Sequence, residues 1–253
     1  MLYNFIDGPV KPKTVTVITP TIGSPKLADA MNSVLGQTYE HITHLIVVDG
    51  ANYFHEVMKH AVLPAAGRSI AQITKSPENT GANGFYGHRI YAAYPHLINS
   101  DYIFFLDEDN WYQPNHVETL VKTLDEGNQF AYSLREVYDE NKNYLCDDNC
   151  ESLGKWPIWF KHDDPEYLID TSSFAFRREF LIQTCHLWHS GWGGDRRYYS
   201  IVRDKAKHDT NGKHTLCYRL DGNTNSVKSD FFEHGNEENY KRYNGKFPWI
   251  KDV

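Results

Sequence analysis

Tyr102-Ile-Phe-Phe-Leu-Asp-Glu-Asp-Asn110 places five apolar or aromatic residues directly before three acids. A run this short, with polar residues on both sides, suits a buried strand better than a helix. In open α/β sheets, ligands bind just beyond the carboxyl ends of the strands, where these acids fall. Carboxylates gathered there repel one another and lose hydration, and a cation offsets both effects. Oxygen ligands select a hard divalent ion such as Mg²⁺ or Mn²⁺. The plainer alternative is an acidic turn that merely ends a strand.

The flanking sequence supplies the rest of such a sheet. Thr14-Val-Thr-Val-Ile-Thr19 is a β-branched run and reads as a first strand. Pro20 to Pro25 is a turn, after which Leu27, Ala30, Met31, Val34 and Leu35 recur at helical spacing up to Gly36. His44-Leu-Ile-Val-Val-Asp49-Gly50 reads as a second buried strand, and Ser69 to Thr74 as a weaker third. Asn79-Thr-Gly81-Ala-Asn83-Gly84 is a loop of turn formers that opens a helical segment, Tyr86 to Leu97. Beyond the acids come a helix over Asn115 to Leu124, with Val117, Leu120, Val121 and Leu124 on one face, and a strand over Phe130 to Leu134. Residues 14–135 thus alternate strand and helix, which predicts an α/β fold with a doubly wound, mostly parallel sheet.

The second half is less regular. Residues 139–165 are polar, with an aromatic insert at Trp156 to Phe160. Asp170 to Arg178 reads as a strand entering a helix, Trp188 to Arg197 as a glycine- and aromatic-rich loop opening a helix to about Lys207, and Thr215 to Leu220 as a strand. The tail from Asp221 is polar and ends in aromatics, and residues 1–13 read as a leader. No internal repeat or interdomain linker interrupts the chain, so 1–253 is expected to form one domain.

The chain has 253 residues, 40% hydrophobic, enough for a substantial core. A net charge of −7 argues against a nucleic acid as the main ligand. No apolar run approaches the length of a membrane span, and the first seven residues lack the pattern of a signal peptide. Of the four cysteines, Cys146 and Cys150 stand close together, but no second Cys/His pair completes a zinc pattern. Free thiols and the absence of any Asn-x-Ser/Thr sequon lead us to expect a cytoplasmic protein.

Four elements in order resemble the GT-A glycosyltransferases of the family 2 type: the first strand with Thr19-Pro20-Thr21, the second ending Val47-Val48-Asp49-Gly50, the Asn79-x-Gly81 loop, and Phe105-Leu106-Asp107-Glu108-Asp109. Trp192-Gly193-Gly194-Asp195 extends the resemblance to about residue 200. The resemblance implies a GT-A, Rossmann-like, mostly parallel sheet flanked by helices, with an irregular acceptor-side C-terminal half. Residues 14–135 would bind the nucleotide sugar and 136–253 the acceptor. It also implies transfer of a sugar from a nucleotide-activated donor (UDP, GDP or dTDP) to a glycan or other hydroxyl, with inversion and with a divalent metal on the diphosphate. This chain departs from common members in three places. Gly87-His88-Arg89 stands near where Ala-Arg-Asn is usual, Asp49-Gly50 replaces paired acids, and the Gln-x-x-Arg-Trp of processive polymer synthases is absent.

On that frame Asp109 is expected to hold the metal, and Asp107 to reach it through water or to contact the donor ribose. Glu108 points the opposite way on an extended chain and shapes the site from behind. Thr19, Pro20, Thr21 and Asp49 follow adjacent strands, where Asp49 would accept from the base or ribose. Asn79 and Gly81 would approach the nucleotide, and Arg89 would pair with the diphosphate. Asp195 is the candidate general base, with helix N-capping as its alternative role. Gly193 and Gly194 let the backbone approach the sugar, and Trp192 offers a stacking wall. His234, with His189 and His214 behind it, is the candidate third metal ligand, on a tail folding back as a lid. Trp156 and Trp159 are candidates for the acceptor site or for packing.

Two other function classes compete. A sugar nucleotidyltransferase would carry a basic Gly-rich loop after the first strand, but Thr19 to Ser24 contains no Lys or Arg. A non-catalytic nucleotide- or carbohydrate-binding module would have no need of Asp109 and Asp195.

Overall fold

A computed structural model describes residues 11–62, 70–220 and 227–251 of the chain. Residues 1–10 of the leader expected over 1–13, the first residue of the third strand (Ser69) and the start of the tail (221–226) lie outside the described residues. In chain order the elements are β1 (Val15–Thr21), α1 (Leu27–Leu35), β2 (Ile42–Val48), α2 (Phe54–His60), β3 (Ile70–Lys75), α3 (His88–Ala93), β4 (Tyr102–Phe105), β5 (Trp111–Tyr112), α4 (His116–Asp125), β6 (Phe130–Tyr138), β7 (Tyr144–Asp147), β8 (Phe174–Arg177), α5 (Arg178–Thr184), α6 (Gly194–Val202), β9 (His208–Arg219) and α7 (Ser229–Arg242).

All the strands join one sheet in the order β3-β2-β1-β4-β8-β6-β9-β5, with β7 paired to β6. Strands β3, β2, β1 and β4 run parallel, and β6 and β9 run parallel to each other. Between these groups lies β8, antiparallel to both β4 and β6, so the two groups point the same way. The expected mostly parallel α/β sheet is therefore present, with a reversed strand at its centre.

Strand β4 shows why the apolar run settles the fold. Alternate side chains of a strand face opposite sides of the sheet. Ile103 and Phe105 enter a core with Phe130, Phe174, Phe176, Trp188 and Tyr198. Tyr102, Phe104 and Leu106 enter a second core with Val17, Val117, Leu120 and Leu124. A strand covered on both faces must be apolar throughout, and each buried Phe or Leu contributes roughly 1.5–3 kcal/mol. The face expected for α4 (Val117, Leu120, Val121, Leu124) is buried in that second core.

The C-terminal half departs from the polar, irregular reading. The tail contains α7, whose Phe232 packs on Val137 and Cys150. Asn236 and Asn239 of α7 donate to the carbonyls of Asp147 and Asn149 at 2.7 and 2.9 Å. Trp249 is buried with Leu134 and Leu153 and donates from Nε1 to Asn149 Oδ1 at 2.8 Å. The polar stretch after β6 thus finds its partners in the tail. Trp156 packs on Trp249, and Trp159 on Phe231 and His234, so both tryptophans belong to this clasp. All four cysteines are free. Among the described residues no helix is long and apolar enough to cross a membrane.

Candidate active site

A cleft of about 680 Å³ opens over the carboxyl ends of β1, β2 and β4 and reaches the start of α6. Thr21, Asp49, Asn79, Gly81, Asp107, Glu108, Asp109, Trp192, Gly193 and Asp195 all line it, although they are spread over 175 positions of sequence. Ligand clefts of this size are typical for small molecules.

The acids after β4 sit in a short link, because the chain rejoins the sheet at β5, where Trp111 and Tyr112 pair with Cys217 and Leu216. The link is held on several sides. Asp107 N donates to Ser172 Oγ at 2.9 Å, and Arg219 N donates to Asn110 Oδ1 at 3.0 Å. Glu108 accepts from Thr21 Oγ1 and, at 3.1 Å, from Ser24 N. Glu108 therefore ties the link to the loop after β1, while lining the same cleft as Asp107 and Asp109. Asp107 accepts from Tyr91 Oη at 2.9 Å and from Ser172 Oγ at 3.3 Å. Burial, with the charges of Asp109 and Asp170, pushes the Asp107 carboxyl up to about 8. Burial also raises Asp109, opposed by Lys26 and reinforced by Glu108 and Asp170.

On the β2 side, Asp49 is turned to its own chain. Its Oδ1 accepts from Thr80 N and Thr80 Oγ1, both at 2.8 Å, and its Oδ2 accepts from Gly81 N at 2.7 Å. Asn79 Oδ1 accepts from Ala82 N at 2.8 Å, closing the same turn. A Cβ on Gly81 would stand 2.3 Å from the Tyr86 carbonyl oxygen, so only glycine lets this loop fold onto Asp49. Asp49 and Asn79 thus shape the loop after β3 that lines this side of the cleft.

Three expected residues are placed elsewhere. Thr19 is fully buried and bonds His44 Nε2 at 2.9 Å, inside the sheet, while Thr21, the last residue of β1, reaches the cleft at the strand's carboxyl end. Arg89 lays its guanidinium on the Phe85 ring, 3.4 Å from the centroid, and donates to Thr80 O at 3.3 Å, outside the cleft lining. His234 stands exposed on α7 against Trp159, with ring centroids 5.0 Å apart, and is not positioned to complete a metal site in the cleft. His189 lies against Phe85, and His214 beside Asp147, also outside the lining.

Asp195 lies in the first turn of α6, and its Oδ1 accepts from Arg196 N at 2.7 Å. Burial and the charge of Asp170 push its carboxyl up to about 6, against the Arg196 N–H and guanidinium. Trp192 is 80% exposed on the rim, so the desolvation of Asp195 comes from the cleft wall itself. Gly193, in the left-handed region at φ 74°, turns the chain into the helix. A Cβ on Gly194 would meet the His88 ring at 2.7 Å, so this glycine makes room for an imidazole.

The floor of the cleft holds charges that sequence reading passed over. Arg135, 2% exposed, donates to Asp148 at 2.7 Å and Asp170 at 2.9 Å and pairs with Glu151. Arg196 donates to the other Glu151 oxygen at 3.1 Å. Burial opposes ionisation of Asp148, but Arg135 and the N–H groups of residues 150 and 152 hold its carboxyl below the usual range. Burial raises Glu151 despite Arg135. Among the described residues the cleft is lined by seven carboxylates against three guanidiniums, those of Arg135, Arg196 and Arg219. Among those residues no three His, Cys, Asp or Glu side chains converge to hold a cation by themselves. Asp107 and Asp109 nonetheless suit a cation that takes one or two carboxylates and completes its shell with phosphate and water, as Mg²⁺ does.

The sequence model described as Glycosyl transferase family 2 matches residues 16–185, from β1 through α5; Asp195 lies beyond the matched stretch. An uncharacterized glycosyltransferase of Rickettsia conorii is 28% identical over 135 residues, covering 52% of this chain and 21% of its own length. One from Rickettsia bellii is 27% identical over 135 residues, covering 52% and 18%. The chain thus matches about a fifth of the length of these relatives. In fold it is similar to S. aureus TarS 1-349 in complex with UDP, at a TM-score of 0.57 and 13% identity over 82% of this chain and 60% of that one. The complex of the same protein with UDP-GlcNAc gives 0.58 and 12% over 92% and 74%. These likenesses agree with the sheet order and the matched motifs, and the chain belongs to glycosyl transferase family 2, with the GT-A fold of a glycosyltransferase.

Proposed function

We propose that this cleft moves a sugar from a nucleoside diphosphate sugar to a hydroxyl of a glycan or similar acceptor in the cytoplasm, with inversion at the anomeric carbon and with Mn²⁺ or Mg²⁺. One observation carries the reading: Asp107 and Asp109 share a single cleft with Asp195, in a wall whose carboxylates outnumber its guanidiniums. An anionic diphosphate enters such a wall only with a cation beside it. The nucleoside lies against Pro20, Thr21 and the loop that Asp49 folds. Asp107 and Asp109 hold the cation, with Glu108 bracing them. The cation, when bound, stabilises the charge that develops on the departing diphosphate. Arg219, which lines the same wall beside Asn110, adds a guanidinium there. The acceptor oxygen bonds to the anomeric carbon as the carbon–phosphate oxygen bond breaks, and its proton passes to Asp195. A carboxyl raised to about 6 is still ionised at neutral pH and is a better base than an ordinary aspartate.

The test is titration calorimetry of UDP, GDP and dTDP, each with Mn²⁺ and with EDTA, into wild type and Asp109→Ala. UDP is the first choice because the TarS crystals hold UDP and UDP-GlcNAc. Binding of one nucleotide that needs both Mn²⁺ and Asp109 is expected; affinity unchanged in the variant rejects the metal role. Asp195→Asn should bind donor and fail to transfer or hydrolyse it.

A further inference from the structure

His88 occupies the junction of the cleft. It follows the donor-side loop in sequence, lines the cleft, and lies under Gly194 at the start of the helix that carries Asp195. Its Nδ1 is 2.9 Å from the carbonyl oxygen of Ser190. A carbonyl can only accept, so Nδ1 carries the proton. Burial lowers the imidazole's proton affinity, which favours the neutral ring, against the backbone of Ser190 and Gly191. The other nitrogen, Nε2, is then a pure acceptor. Among the described residues no side chain donates to it, and it is not sealed from solvent. The ring is fixed from behind by Trp188, with centroids 5.9 Å apart.

The position selects what this acceptor meets. The diphosphate belongs with Asp107 and Asp109, and a neutral acceptor nitrogen would repel it. The sugar must cross from that point toward Asp195, because its anomeric carbon is attacked by the oxygen whose proton Asp195 takes. That path passes the junction where donor loop and base-bearing loop meet on His88. We propose that His88 Nε2 accepts a hydrogen bond from a hydroxyl or amide N–H of the transferred sugar, and so determines which sugar is held in line for attack. This rests on the donor reading above.

The experiment compares His88→Gln and His88→Phe. Both lose the tether to Ser190, so a purely structural role affects them alike. Gln returns an acceptor oxygen near the Nε2 position; Phe keeps the ring and loses the acceptor. Calorimetry with Mn²⁺ measures UDP, GDP and dTDP, and then the glucose and N-acetylglucosamine conjugates of whichever binds wild type. Free nucleotide should bind all three proteins within about twofold, while the extra affinity contributed by the sugar should fall about three- to tenfold in Phe and be largely restored in Gln. An equal sugar contribution in wild type and Phe, equal losses in Phe and Gln, or a wild type to which neither sugar adds affinity each overturns this inference while leaving the nucleotide site standing. Failure of every nucleotide to bind wild type overturns the donor reading as well.

Discussion

With Asp195 as the proposed base, activity is expected to depend on pH in a window where an ordinary aspartate would leave it flat. The carboxyl is pushed up to about 6 by burial first and by the charge of Asp170 second. The base must be ionised to accept the acceptor's proton, so activity falls as pH falls through that value. At pH 7 about nine-tenths of the molecules carry the ionised base; at pH 5 about one-tenth do, and the fall approaches tenfold per pH unit below that. An aspartate at its usual value would leave the rate flat from pH 5 to pH 7. The assay is kcat/KM for transfer or donor hydrolysis, which reports the free enzyme, at saturating Mn²⁺ so that protons on Asp107 do not limit. Asp170→Asn, which keeps an acceptor for Ser172 N while removing the charge, should move the inflection to lower pH. A flat profile between pH 5 and 7 would refute the reasoning, as would an inflection that persists in an active Asp195→Asn enzyme. Stability carries the opposite sign: the folded-state value lies above the unfolded one, so the contribution of Asp195 is full below about 4 and is lost as pH rises through about 6.

Three further outcomes are expected. Arg135→Met leaves Asp148, Glu151 and Asp170 buried without their shared partner, and urea unfolding should show a loss of about 3–5 kcal/mol, where an unchanged midpoint would mean the acids simply take up protons. Gly81→Ala puts a methyl 2.3 Å from the Tyr86 carbonyl, so stability should drop by about 1–3 kcal/mol and nucleotide affinity with it; normal affinity would detach the loop from the donor site. His234→Ala should leave Mn²⁺-dependent nucleotide affinity within about twofold, whereas a tenfold loss would restore it as a ligand.

The fold was legible where burial is two-sided. The β4 run is apolar at every position because both faces are covered, and α4 shows its stripe because one face is. The reversed β8 and the long β9 were harder to see, since register and direction arise from pairing with distant residues. The tail helix α7 was missed because its face is met by asparagines and backbone carbonyls, leaving a weak apolar stripe. In the site, the sequence indicated the acids after β4 and the aspartate at α6, because turn geometry and charge clustering are local. It misdirected at Thr19 and Arg89, where a position short of the strand's end and a neighbouring ring decided where the side chain lies. It was silent on Arg135, Glu151 and Asp170, whose meaning lies in one another across 35 positions. Asp170-Thr-Ser-Ser, read only as the approach to a strand, did carry a capping signal, since Asp170 accepts from Ser172 N at 2.9 Å.

The clasp between Asn149 and Trp249 bears on how the chain is made. The parallel strands β1 to β4 pair through short local crossovers and can associate once Phe105 has left the ribosome. β4 then remains an open edge until β8 is synthesised, and the polar stretch around Asn149 cannot close until Trp249 follows, 100 residues behind it. At typical elongation rates that delay is on the order of ten seconds. Until Phe174–Arg177 of β8 follow, the nascent chain displays an aromatic strand edge of the kind that promotes aggregation, so its yield is expected to depend on what shields that edge meanwhile.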